Sequence, residues 1–253
     1  MKALKISALV LALVVVGILA FLMVTAMKAP KQFLQEFNEE TAKMGKNIIV
    51  LSYPDDLLEK KTSLDARLAM SDNDSIGMRI NLKEKALYLE IKGIVLHKTP
   101  LLEQKTSGFF KHLSAAEKYV LFHKPLIILG DESTISKDVF ETVIATKDTL
   151  EAQARAEIVP DTVLREPVLY RLYLEQGIRI QVIGQLPDSI PQFWPKFKFN
   201  YRDRYNYLKE LIGSFTNKKA TPYQPTISIV IDAKEASAIY RAVPKKGNVI
   251  LEF

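Results

Sequence analysis

Residues Thr226–Phe253 read TISIVIDAKEASAIYRAVPKKGNVILEF, and their order decides how the main domain closes. TISIVI is short, apolar and β-branched, the composition of a buried strand. Asp232 then caps a helix. Glu235 stands three residues on and can return a bond to the cap's backbone amide, a capping box worth roughly 1 kcal/mol. Ala236, Ile239, Tyr240 and Val243 fall on one side of that helix. Pro244 and Gly247 end it, and NVILEF supplies a last strand. The unit is strand–helix–strand. Many enzymes place a nucleophile at such a strand-to-helix junction, and the candidate inside this strand is Ser228.

Upstream, the period of two recurs. In MRINLKEKALYLEIKGIVLHKTPLLEQ, Ile80 and Leu82, then Leu87, Leu89 and Ile91, alternate with polar residues. Lys92-Gly93 makes a turn and Ile94–His97 begins the return, so the segment predicts a hairpin with one buried face. KTSGFFKHLSAAEKYVLFHK is polar and helical, PLIILG is a strand, DVFETVIATKD is strand-like, and TLEAQARAEIV is a charged helix or loop. PVLYRLYLEQGIRIQVIG alternates around a Gln176-Gly177 turn. Before the hairpin, NIIVLSY reads as a strand and DDLLEKKTSLDARLAM as a short helix with a break. SDNDSIG is a turn-rich linker.

The first residues differ from the rest. Between flanking lysines, Ile6–Met27 is uncharged and apolar. At ~1.5 Å per residue, about 20 such residues match the hydrocarbon core of a bilayer. A cleaved signal has a shorter apolar region, so a retained anchor is favoured over cleavage near Val24-Thr25-Ala26. The small charge asymmetry places the amino terminus inside and the main domain outside. PKQFLQEFNEETAKM then predicts an amphipathic helix with Phe33, Leu34, Phe37 and Met44 on one side. The organisation that follows is an anchor over 1–29, a juxtamembrane helix and linker over 30–75, and a domain over 76–253.

Chemistry is thinly supplied. With no cysteine there are no disulfides, thiolate ligands or cysteine nucleophiles. His97, His112 and His123 lack metal-ligand spacing, and no glycine-rich phosphate loop, G-x-S-x-G or H-E-x-x-H occurs. Neither a metal nor a cofactor is expected. The formal charge of +6 is spread along the chain, which fits a solvated surface or a place near anionic lipid or wall polymer rather than nucleic acid. FWPKFKFNYRDRYNYLKELIGSF interleaves aromatics with cations. Phe193, Trp194, Lys198 and Tyr201 are its ligand-binding candidates, through stacking beside positive charge. The competing reading is a strand that buries Phe197, Phe199 and Tyr201 while its lysines face water, followed by a helix.

Three segments together carry a resemblance. INLKEKALYLEIKGIVLHKTPL resembles the opening hairpin of L,D-transpeptidase (YkuD-type) catalytic domains. YLEQGIRIQVIG is similar to their G-I-x-I-H-G strand, and ISIVIDAKEASAIYRAVPKKGNVILEF resembles their closing unit. The resemblance spans Ile76–Phe253 and implies a mainly β domain with inserted helices, an L,D-transpeptidase-like β-sandwich preceded by the transmembrane helix. In that family a cysteine in S-H-G-C-x-R, activated by histidine, attacks a peptidoglycan stem. Aligned on Ile239-Tyr240, this chain has Ser228 for the cysteine, Thr226 for the histidine, Ile227 for the glycine and Val230 for the arginine. Gln181 stands for the other histidine and Val182 for its glycine. The resemblance therefore implies a catalytically degenerate member, a membrane-anchored envelope protein that binds peptidoglycan or an envelope partner on the periplasmic side. The alternatives are a divergent acyl transferase or hydrolase using Ser228, with Lys218, Lys219 or Asp232 as base candidates, and a bitopic scaffold unrelated to the wall.

Overall fold

A computed structural model describes residues 53–137, 167–187, 193–217 and 223–253, together with helical positions 16–17, 20, 23–24, 27–30 and 32–35. All but Tyr53 of the expected strand over 47–53, the strand-like piece and the charged helix or loop expected between 138 and 159, and most of the apolar run Ile6–Met27 lie outside the described residues. Among the described residues no helix is long and apolar enough to cross a membrane.

Among the described residues nine strands form one sheet: β1 (Gly77–Asn81), β2 (Ala86–Ile91), β3 (Ile94–Pro100), β4 (Glu103–Thr106), β5 (Leu126–Ser133), β6 (Leu169–Leu174), β7 (Arg179–Gln185), β8 (Thr226–Asp232) and β9 (Asn248–Glu252). Their order is β3-β2-β1-β9-β5-β6-β7-β8-β4. β1 runs parallel to β9 and β7 parallel to β8, while the other neighbours are antiparallel. Among the described residues from Tyr53 onward, five helices accompany them: α1 (Asp55–Ser71), α2 (Gly108–Lys111), α3 (Ala115–Phe122), α4 (Phe193–Asn217) and α5 (Ala233–Ala242). The fold is therefore mixed α/β on a single mixed sheet, which overturns the expected mainly β sandwich; the transmembrane helix expected ahead of it falls mostly outside the described residues. Helices carry part of the core: Ala66 and Met70 of α1 pack on Ile250 of β9. Ala236, Ile239 and Tyr240 of α5 pack with Ile180, Ile227, Ile229 and Ile231.

The two tight turns stand where their residues predict. Lys92 and Gly93 have φ of 50° and 77°, and Gln176 and Gly177 have 60° and 70°. Two successive positive φ values are what the two-residue loop Lys92-Gly93 needs, whereas Gln176-Gly177 follow Glu175 in a longer loop closed by the Leu174 amide on the Ile178 carbonyl; glycine meets a positive φ at little steric cost. The hairpin is more deeply placed than alternation implies. The first five residues of β2 are all buried, and on the face shared by Arg79, Tyr88 and Ile250 the cover is α1. There Arg79 donates to Glu90 at 2.7 Å and Glu252 at 2.9 Å and lies 3.8 Å over the Tyr88 ring.

Three local expectations change. DDLLEKKTSLDARLAM makes one unbroken helix, whose buried side runs Leu58, Thr62, Ala66 and Met70 at a spacing of four. The aromatic stretch is α4, a 25-residue helix and not a strand. The capping box at Asp232 does not form: Asp232 accepts from the Lys234 amide at 2.8 Å, but the Glu235 carboxylate reaches across to His97 and Thr99 of β3. Ser114 and Glu117 build a complete capping box at α3 instead.

Candidate functional site

β7 and β8 each show one buried face and one half-buried face. Ile180 and Val182, with Ile227, Ile229 and Ile231, point into the core; Arg179, Gln181 and Ile183, with Thr226, Ser228 and Val230, point the other way. Thr226, Ser228, Val230 and Gln181 therefore meet on one face, because residues two apart on a strand share a side. Gln181 is the direct register partner of Ser228. Register extends this pair into a row. Glu132 faces Arg171, Arg171 faces Gln181, and Ser228 faces Lys105. Glu132–Arg171–Gln181–Ser228–Lys105 thus crosses five strands, β5, β6, β7, β8 and β4, as one polar line.

Helix α4 is seated on the Arg171 end of that line. Arg171 is completely buried. Its guanidinium donates to Glu132 at 3.1 Å and to Asn200 Oδ1 at 2.8 Å, and it lies 3.8 Å from the Asp203 carboxylate. The Phe199 ring stacks on it at 4.0 Å, and the Phe199 carbonyl lies 3.4 Å from Nη2. Arg179 donates to Asp203 at 2.9 Å and to Thr226 Oγ1 at 3.2 Å, while Gln181 donates to Asn200 at 3.3 Å. Burial, and then the adjacent Glu132 carboxylate, push the Tyr173 phenol above its ordinary value. A buried cation survives here because two carboxylates, an amide, a carbonyl and a ring face surround it.

Chemically the row lacks a relay. Among the described residues no side chain hydrogen-bonds Ser228, and a hydroxyl needs an adjacent base to become a nucleophile. Asp232, a base candidate from the sequence, is occupied with the Lys234 amide. Lys218 and Lys219 lie outside the described residues. Lys105 does stand beside Ser228 in register, but its side chain is 82% exposed and its ammonium lies 3.8 Å from Glu103. Sequence reasoning missed Lys105, Glu132, Arg171, Asn200 and Asp203. Arg171 alone carried a signal, as a charge in a strand that is otherwise apolar and aromatic.

The aromatic candidates gather elsewhere. Phe193, Trp194 and Tyr201, with Lys198, lie on the outer side of α4, away from the Arg171 row. A cavity of about 470 Å³ shares no residue with either place; it is lined by Glu59, Lys60, Ser63, Lys118, Glu252 and Phe253, among others. Several of its charges are already matched, Lys118 to Glu59 at 2.9 Å and Glu252 to Asn81 within the wall, and Glu252 also to Arg79 behind it. A further titratable pair, Tyr240 and Asp131, is hydrogen-bonded at the edge of the core. Burial, and then that bond, push the Tyr240 phenol up to about 12. Among the described residues no group of three or more His, Asp or Glu is placed to hold a metal ion.

No family model matches the chain, and neither the curated proteins nor the solved structures contain a match.

Proposed function

We propose that the chain is an envelope protein held at a bacterial membrane by its apolar run Ile6–Met27, and that its main domain works by binding rather than by catalysis. The ligand is peptidoglycan or an envelope partner. The observation that carries this reading is the polar row. Its serine is paired in register with Gln181 and Lys105, has no hydrogen-bonded base among the described residues, and lies beside a helix locked down by Arg171 and Arg179. A serine row without thiol or relay is suited to holding a ligand, not to turning it over. The resemblance of the hairpin and the closing unit to L,D-transpeptidases supports wall material as that ligand.

Purified sacculi test it directly. The full chain is expected to co-sediment with them, with no change in muropeptide composition, and Ser228→Ala is expected to behave like the wild type. Turnover by the wild type that disappears in both Ser228→Ala and Lys105→Ala would restore a Ser228 enzyme and end the binding reading. Failure to co-sediment removes peptidoglycan and leaves a protein partner, to be sought by cross-linking in cells.

A further inference from the structure

Helix α4 has two unlike sides. The inward side carries Phe199, Asn200 and Asp203, which hold Arg171 and Arg179. The outward side carries Phe193, Trp194, Phe197, Tyr201, Tyr205 and Leu208, exposed by 69%, 73%, 45%, 59%, 58% and 45%. Phe193, Phe197, Tyr201 and Tyr205 recur every four residues, so they stack along one stripe, and Trp194 and Leu208 fall beside them. The rings touch in series: Phe193 to Phe197 at 6.0 Å, Trp194 to Phe197 at 5.9 Å and Phe197 to Tyr201 at 5.9 Å between centroids. Scattered exposed apolar residues need no explanation, but a continuous aromatic stripe marks a surface with a partner.

Charge selects the partner. The helix carries Lys196, Lys198, Arg202, Arg204 and Lys209 against Asp203 and Glu210. Asp203 is turned inward onto Arg179, so the free charge around the stripe is strongly positive. Trp, Tyr and Phe on one face, bordered by Lys and Arg, match the interface of a bilayer. There aromatic rings sit at headgroup depth, aliphatic stems snorkel, and cations meet anionic lipid. A soluble glycan would use ring faces but would not call for the cations. A helix of 25 residues, about 37 Å long at ~1.5 Å per residue, offers the stripe as a line that lies flat along a surface. The apolar run near the amino terminus provides the setting, since a chain bearing it has a bilayer within reach.

We infer that α4 is a peripheral docking element: its stripe from Phe193 to Leu208 lies in the headgroup region of an anionic bilayer, while its inward side holds the domain through Arg171 and Arg179. The domain is thereby fixed in orientation against the membrane surface instead of swinging on a tether. This inference is independent of what the polar row binds.

The chain's single tryptophan is Trp194, so its emission reports on the stripe alone. The full chain is reconstituted into vesicles of phosphatidylcholine with phosphatidylglycerol, and quenching by lipids brominated at successive acyl depths is measured. Emission shifted to the blue and quenching strongest from the shallowest bromines are the expected result, with several-fold less quenching in vesicles of phosphatidylcholine alone. Phe197→Ser with Tyr201→Ser should cut the quenching several-fold, and Lys198→Glu with Arg202→Glu should abolish the preference for anionic lipid. These side chains are exposed, so circular dichroism and the thermal transition should be unaltered in both variants. Emission that stays red and is not quenched by any brominated lipid overturns the inference. So does protection of Trp194 from acrylamide by soluble wall glycan with no protection by lipid.

Discussion

At the scale of single residues, Arg171 is the most constrained charge described. It is fully buried, and its partners come from β5 and from α4. Removing one member of a buried, hydrogen-bonded charge cluster costs roughly 3–5 kcal/mol. Glu132 and Asp203 are each about a third exposed and can rehydrate, so the lower end applies. Arg171→Ala should therefore lower unfolding stability by about 3 kcal/mol in urea titrations. It should also free α4, seen as faster amide exchange over the helix. Asp203→Asn, which keeps shape and leaves Arg171 its bonds to Glu132 and Asn200, should cost about 1 kcal/mol. Equal losses in the two variants would show that the seat is not organised around Arg171. Arg171 could be noticed in the sequence as a charge inside LYRLYL. Its partners could not, because Glu132 and Asn200 stand 39 and 29 residues away.

At the scale of elements, the closing strand–helix–strand depends on how closely α5 approaches β7. A Cβ added at Gly184 would come within 2.9 Å of the Ala236 Cβ and of the Val168 carbonyl oxygen, and within 3.0 Å of the Ala233 Cα. Two of those neighbours are backbone and cannot step aside singly. Gly184→Ala should thus destabilise by about 1–3 kcal/mol, the usual cost of overpacking, while Gly130→Ala, which meets nothing within 4 Å, should cost far less. Thermal unfolding of the two variants checks this. The same scale explains why α4 was misread. A spacing of four satisfies a period of two as well as a period near 3.6, so Phe193, Phe197, Tyr201 and Tyr205 suit either element. Phe199 breaks the tie: on a strand it would join the other aromatics, but on the helix it faces Arg171.

At the scale of the whole molecule, three acids tie helices to their neighbours, and each is held below its ordinary value. Glu59 of α1 is lowered chiefly by its bond to Lys118 of α3, with Lys83 contributing. Asp65 is lowered by Lys61 and then by Tyr119, and Glu235 of α5 by His97 and then by Thr99 of β3. A depressed carboxyl contributes stability above its unfolded value, and that stability is lost as pH falls through the folded one. The ordinary values are 4.5, 3.8 and 4.5, so Tm should hold near neutrality and fall progressively below about pH 4.5. Lys118→Met should shrink that fall, since it removes the main cause of Glu59's shift; an unchanged profile would count against it. The sequence by itself determined the strands with a period of two, both tight turns, the closing strand–helix–strand and the absence of any thiol, because each is a property of single residues or of a few neighbouring ones. Only the tertiary structure decided the single mixed sheet, the place of the polar four-residue strand β4 beside Ser228, and the helix seated on Arg171. The reason is physical: register and burial arise between strands far apart in the chain. A short polar edge strand such as EQKT leaves no apolar pattern to read, and its place is set by the backbone hydrogen bonds that β8 offers.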